Sequence, residues 1–88
     1  MDLNLNEQRA LRCLAGADGW MRRRDLYRAT FQRLPVKERG VIIPRLVELE
    51  LVEQREVLAA NSRAALEVCL TAKGKAEVRR RRRAGLMA

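Results

Sequence analysis

Clusters of arginine and lysine carry whatever chemistry this chain can do. Arg22, Arg23, Arg24 and Arg28 lie close together, with Arg33 behind them and only Asp25 against them. Arg79, Arg80, Arg81, Arg82 and Arg83 are consecutive. Between the two clusters come Lys37, Arg39 and Arg45, and then Arg63 at the end of a polar stretch, Asn61-Ser62-Arg63. A guanidinium is permanently charged, and its planar fork of donors matches the oxygens of a phosphate or carboxylate. Such clusters hold polyanions. The chain has no histidine, the side chain that most often acts as general base near neutral pH. Cys13 and Cys69 stand far apart, in no metal-ligand or redox spacing. No phosphate-cradling glycine loop, dinucleotide fingerprint or metal-ligand cluster occurs. The expectation is a binding protein, not an enzyme, with no cofactor.

The distribution of charge narrows the partner. The formal net charge is +8, from 19 cations and 11 anions. Without the five-arginine run, 14 cations stand against 11 anions, so the remaining body is only mildly basic. This balance points to nucleic acid or an anionic membrane surface. No apolar run approaches the roughly 20 residues of a membrane span. Near the arginines only Leu86 and Met87 are apolar and large, too little for stable anchoring. Residues 1–8 lack the charged and apolar regions of a secretory leader. Together with two free thiols this gives a cytoplasmic expectation. The arginine run could also serve as a nuclear address. RNA or single-stranded DNA is a further reading. It is disfavoured because Trp20, Tyr27 and Phe31 are the only aromatics available for base stacking.

These cations need a scaffold, and 88 residues supply one domain. Asn6 is a plausible N-cap for a first helix, with Leu5 and Ala10 as a weak staple. Leu11, Leu14 and Ala15 recur at helical spacing, and Gly16 and Gly19 end the pattern near residue 17. Trp20-Met21 bridges to a second helix over 23–32, where Tyr27 and Phe31 share a side with Leu26 beside them. Pro35 suits the first turn of a third helix. That helix spans 36–50 with Ile42, Ile43, Leu46 and Leu49 inward and Val47 as a further candidate. Pro44 opposes Gly40, so the helix is expected kinked or in two pieces. Residues 51–58 and 65–70 read as strands of a hairpin, joined by a polar-tipped loop.

Thr71 caps a last helix carrying Ala72, Ala76 and Val78. Gly74 weakens its first turn by about 1 kcal/mol relative to alanine. If this helix continues through the arginines, their side chains point all round and form no single face. If the run is a disordered tail, every arginine can find a phosphate. The fold class is α+β and mostly helical, three helices in a layer with a hairpin on one edge. It divides into a domain over 1–78 and an arginine-rich tail or helix extension over 79–88.

Leu46-Val47-Glu48-Leu49-Glu50-Leu51-Val52, followed by Leu70-Thr71-Ala72-Lys73-Gly74, resembles the winged helix-turn-helix family of MarR-like and PadR-like bacterial regulators. The likeness covers roughly residues 5–78. Glu50 stands where that family usually has glycine, at the turn from helix to strand. The resemblance implies a winged helix that contacts duplex DNA and regulates transcription. The third helix would enter the major groove, the second helix would point its N-terminus at phosphate, and the hairpin loop would act as the wing. It also implies a homodimer through the first and last helices.

The candidate DNA contacts are then Arg22, Arg23, Arg24 and Arg28, with Lys37, Arg39, Arg45 and Arg63, and Arg79 to Arg83. Arg24 and Arg28 are one turn apart and could grip one stretch of backbone. Arg45 could pair with a guanine edge. The third helix has no Asn, Gln, Ser or Thr for the other base pairings and carries Glu38 and Glu48. Glu48, Glu50, Glu53 and Glu56 make residues 48–56 acidic, a segment expected to face away from DNA and able to meet a protein partner. A winged-helix adaptor within a larger complex is therefore the alternative function.

Overall fold

Asn4 starts the first helix, two residues earlier than the sequence pattern suggests. Its side chain accepts from the Glu7 backbone N–H at 2.8 Å, and the Glu7 carboxylate accepts from the Asn4 backbone N–H at 2.8 Å. This reciprocal box satisfies two donors that a helix start leaves open. Asn6, the expected cap, falls inside the first turn instead. The structure is a computed structural model and describes residues 2–17 and 19–85. Its elements are α1 (Leu5–Gly16), β1 (Met21–Arg22), α2 (Arg23–Thr30), α3 (Val36–Arg39), α4 (Ile42–Glu48), β2 (Val52–Leu58), β3 (Ala64–Leu70) and α5 (Ala72–Arg83). The fold is α+β, about half helical, with a three-stranded antiparallel sheet in the order β1-β3-β2.

The linker after α1 does more than bridge two helices. Met21 and Arg22 pair with Val68 and Glu67, adding a short strand beside the hairpin. Trp20 sits under the Arg55 guanidinium, 4.2 Å from the ring centroid. α2 follows at once and ends at Thr30, and Phe31 is its fully buried C-cap. Tyr27 meets Phe31 edge to face at 5.7 Å, as their four-residue spacing requires.

The third helical region is two pieces, one of the two expected forms, but the break is not at Pro44. It falls at Gly40 and Val41, and Pro44 occupies the first turn of α4. A proline there loses no helical bond, because the first N–H groups of a helix have no partner in it. α4 turns Ile42, Ile43 and Leu46 into the core. They join Leu11 and Leu14 of α1, Leu26 and Phe31, Leu51, and Val68 of the sheet.

α4 ends in a tight reversal. Leu51 N–H bonds to Leu46 C=O at 3.0 Å, and Glu50 N–H to Val47 C=O at 2.9 Å. This pair of bonds demands a left-handed residue just past the helix, usually glycine. Glu50 fills the place at φ 62°. A left-handed L-residue costs roughly 1–2 kcal/mol, part of which is offset by glycine's greater freedom in the unfolded chain. Glu50→Gly is therefore expected to stabilise the protein by about 1 kcal/mol. The check is the urea midpoint, which should rise with an unchanged slope.

β2 and β3 pair over their full length, from Val52 with Leu70 to Leu58 with Ala64. Ala59 N–H bonds to Arg63 C=O at 2.8 Å, Ser62 N–H bonds to Ala59 C=O at 2.9 Å, and Ser62 has φ 63°. This is a three-residue hairpin loop whose last residue is left-handed. Thr71 then caps α5, its hydroxyl accepting from Gly74 N–H at 2.9 Å and donating to Glu50 C=O at 2.6 Å. α5 runs without a break past Val78 to Arg83, so Arg79 to Arg83 are its last turns. Residues 86–88, including Leu86 and Met87, lie outside the described residues.

Candidate nucleic-acid interface

Because β1 runs straight into α2, the arginines at that junction are spread over different surroundings. Arg22 is half-buried in the sheet, opposite Glu67. Arg23 donates from Nε to the Tyr27 hydroxyl at 3.1 Å and lies 5.2 Å from its ring centroid, a cation–π placement that fixes the guanidinium. Arg24 is exposed and only loosely paired with Asp25, at 3.9 Å. Arg28 is exposed one turn further on and makes no ion pair with a described residue.

Across from this face stands Arg39, at the end of α3. Between them runs an open groove of about 550 Å³, lined by Arg23, Arg24, Tyr27, Arg28, Gln32, Arg39, Ala64 and Leu66. Four guanidinium groups from α2 and α3 thus meet the loop end of the hairpin, and among the described residues no carboxylate lines the groove. Chemically this is a polyanion cradle. It can neutralise several phosphates, and Tyr27 adds a hydroxyl to its wall.

The remaining expected contacts lie elsewhere. Lys37 is exposed on α3 and Arg63 at the hairpin tip, and neither lines this groove. Arg45 turns toward α1. Its Nε stands 2.6 Å from Glu7 Oε2, and its terminal amino group donates to the Asp2 carbonyl at 3.4 Å. Glu7 is 1% exposed, and Oε2 has no other polar partner among the described residues. Arg45 thus supplies the counter-charge for a buried carboxylate and is not free to read a base edge. The signal for Glu7 is present in the sequence as the spacing Asn4-x-x-Glu7, a capping box.

The arginines of α5 are not equivalent. Glu77 binds Arg80 at 2.6 Å and Arg81 at 2.8 Å. The Arg81 side chain is buried. Arg79, Arg82 and Arg83 are exposed, and with Lys75 they follow helical spacings of three and four along one stripe. As expected of a helical run, the five arginines form no single face. Glu77 gathers two of the five, and the outward three share a side.

The hydrogen bond from Arg80 is the chief cause that holds the Glu77 carboxyl down at about 2, below the ordinary 4.5; burial opposes it and Arg81 adds to it. A carboxyl with a lowered folded value stabilises the fold above its unfolded value. That contribution fades as pH falls from about 4.5 through about 2. Glu77→Gln is expected to lower the melting temperature at pH 7, with the gap to the parent closing over that acid window. Circular dichroism melts at a series of pH values provide the check.

The acidic segment 48–56 does not form one surface. Glu48 closes α4, and Glu50 stands at the turn, 3.9 Å from Lys73. Glu53 accepts from Cys69 Sγ at 3.7 Å. Glu56 lies opposite Leu66, on the other face of the sheet. Alternation along β2 separates the last two. Arg55 pairs with Glu67 at 2.7 Å.

Burial pushes the Cys13 thiol up, and burial followed by the Glu53 charge does the same at Cys69. Both are therefore poorer nucleophiles than an ordinary cysteine. No helix among the described residues is long and apolar enough to cross a membrane. Compared with models of known families and with curated proteins, the chain matches none.

Proposed function

We propose that this chain is a winged helix-turn-helix module that binds duplex DNA mainly through its phosphates, in the service of transcription regulation or DNA organisation. The carrying observation is the groove where Arg23, Arg24, Arg28 and Arg39 converge, with no carboxylate among the described residues that line it. The element order and the sheet order β1-β3-β2 suit a winged helix. In that reading α3 and α4 are the helix presented to DNA, and the loop carrying Arg63 is the wing. Affinity then comes from arginine forks on phosphate, which position a protein without reading sequence. Arg45 is paired with Glu7, and the other exposed residues are Val36, Lys37 and Glu38 on α3, Val41 between the helices, and Pro44, Val47 and Glu48 on α4. Base readout is accordingly weak, and the preference is for DNA shape and charge. Pairing of two copies would give such a module a second half-site.

The test is fluorescence anisotropy of a mixed-sequence duplex across a salt series, comparing the parent with Arg24→Gln/Arg28→Gln. Both residues are exposed, so the fold should be kept. Each lost phosphate contact flattens the log–log salt slope by about 0.9. The double variant is therefore expected to lose about 1.8 of slope and to bind more weakly on every duplex. A parent that ignores duplex DNA at low salt, or a variant that binds like the parent, defeats the reading. The adaptor alternative is favoured by one observation, the strong exposure of Val36, Val41 and Leu58. It takes first place if the duplex is ignored.

A further inference from the structure

We propose that the protein carries a second, separate duplex-binding surface on α5 and bridges two DNA segments. This rests on the reading of the arginine groove as a duplex contact. Lys75, Arg79, Arg82 and Arg83 form the exposed stripe of α5, while Glu77, the only acid of the helix, is turned to Arg80 and Arg81. From Lys75 to Arg83 the helix rises about 12 Å. One DNA strand carries a phosphate about every 3.4 Å of axis. Four cations over that length match the charge density of one strand, and the fixed helix holds them on one side.

This stripe and the groove face different places. α1 and β3 each pack against both α2 and α5, and so stand between the two basic surfaces. The groove meets β3 at Ala64 and Leu66, whereas Arg79 and Arg82 line a separate cleft with Cys69 and Leu70 at the other end of that strand. Seven strand residues separate these ends by about 20 Å. A straight duplex laid in the groove leaves the α5 stripe open to a second one. A lipid surface suits the stripe less well, because its described neighbours Ala76 and Ala84 offer little to insert.

The experiment immobilises a biotinylated mixed-sequence duplex on beads, adds protein, and measures retention of a second, fluorescent duplex. Three full-length proteins are compared: the parent, Arg24→Gln/Arg28→Gln, and Arg79→Gln/Arg82→Gln/Arg83→Gln. Glutamine keeps helix propensity, and melting curves verify the fold. The parent is expected to retain the second duplex. Each variant should still bind one duplex by anisotropy, yet lose co-capture at least tenfold. Parent binding to one duplex without co-capture overturns bridging and leaves the DNA-binding reading intact. Co-capture by the α5 variant at the parent's level overturns it too, since bridging would then run through paired copies. Sedimentation with phosphatidylserine vesicles, without co-capture of DNA, assigns the stripe to membranes and overturns the proposal. A parent that binds no duplex at all fails the underlying reading itself.

Discussion

Replacing Gly74 with alanine is expected to destabilise the protein by about 3 kcal/mol or more, with a fall in melting temperature on the order of 12 °C. Helix propensity alone points the other way, to a gain of about 1 kcal/mol. The sign is reversed by a neighbour far away in sequence. A Cβ at this position would overlap the Leu51 carbonyl oxygen, sit 3.0 Å from its carbon, and press on Leu70 Cδ2 at 3.2 Å. The obstacle is backbone, and it is held in place. The same carbonyl accepts the Thr71 N–H at 3.1 Å, and Thr71 in turn caps α5 and bonds to Glu50. Relief requires moving α5 off the turn after α4, with loss of that hydrogen-bond chain. Urea denaturation of the purified variant decides the matter. Stability equal to or above the parent's would mean that α5 does not approach Leu51 so closely.

Arg45→Ala is expected to cost about 3 kcal/mol, because it leaves the Glu7 carboxylate buried without its counter-charge. Glu7 cannot turn away to water, since its other oxygen is committed to the Asn4 N–H at 2.8 Å. The loss should be largely recovered in Glu7→Gln/Arg45→Met, which buries no charge and can keep the cap through the amide oxygen. A double-mutant cycle by denaturant unfolding measures the coupling. Duplex affinity below the melting range should change far less for Arg45→Ala than for Arg24→Gln/Arg28→Gln. A variant that keeps its stability and loses DNA binding would return Arg45 to the role the sequence suggests.

These two residues mark where sequence reasoning stops. Within its own element Gly74 reads as a weak spot in a helix, and Arg45 as a reader of guanine. Both are set by a partner on another element. Glu50 is different. Its departure from glycine at the helix-to-strand turn is legible in the sequence, and its φ of 62° is the left-handed geometry that the position imposes. Thr71 is equally legible, since a cap acts on a backbone group three residues away. Asn4 is the cap that apolar spacing alone does not find, although the acid three residues later marks it.

Local order thus belongs to the sequence. Apolar spacing, caps and turn residues act across three or four positions, and they determine the helices, the hairpin and its loop. Net charge and the lack of histidine likewise limit the chemistry, however the chain folds. The tertiary structure alone decides which cations are free. It sends Arg45 to Glu7 and leaves Arg28 and Arg39 facing one groove. The physical reason is that ion pairing and close backbone approach depend on how elements cross. A neighbour far off along the chain can stand at hydrogen-bond distance, and periodicity carries no record of it.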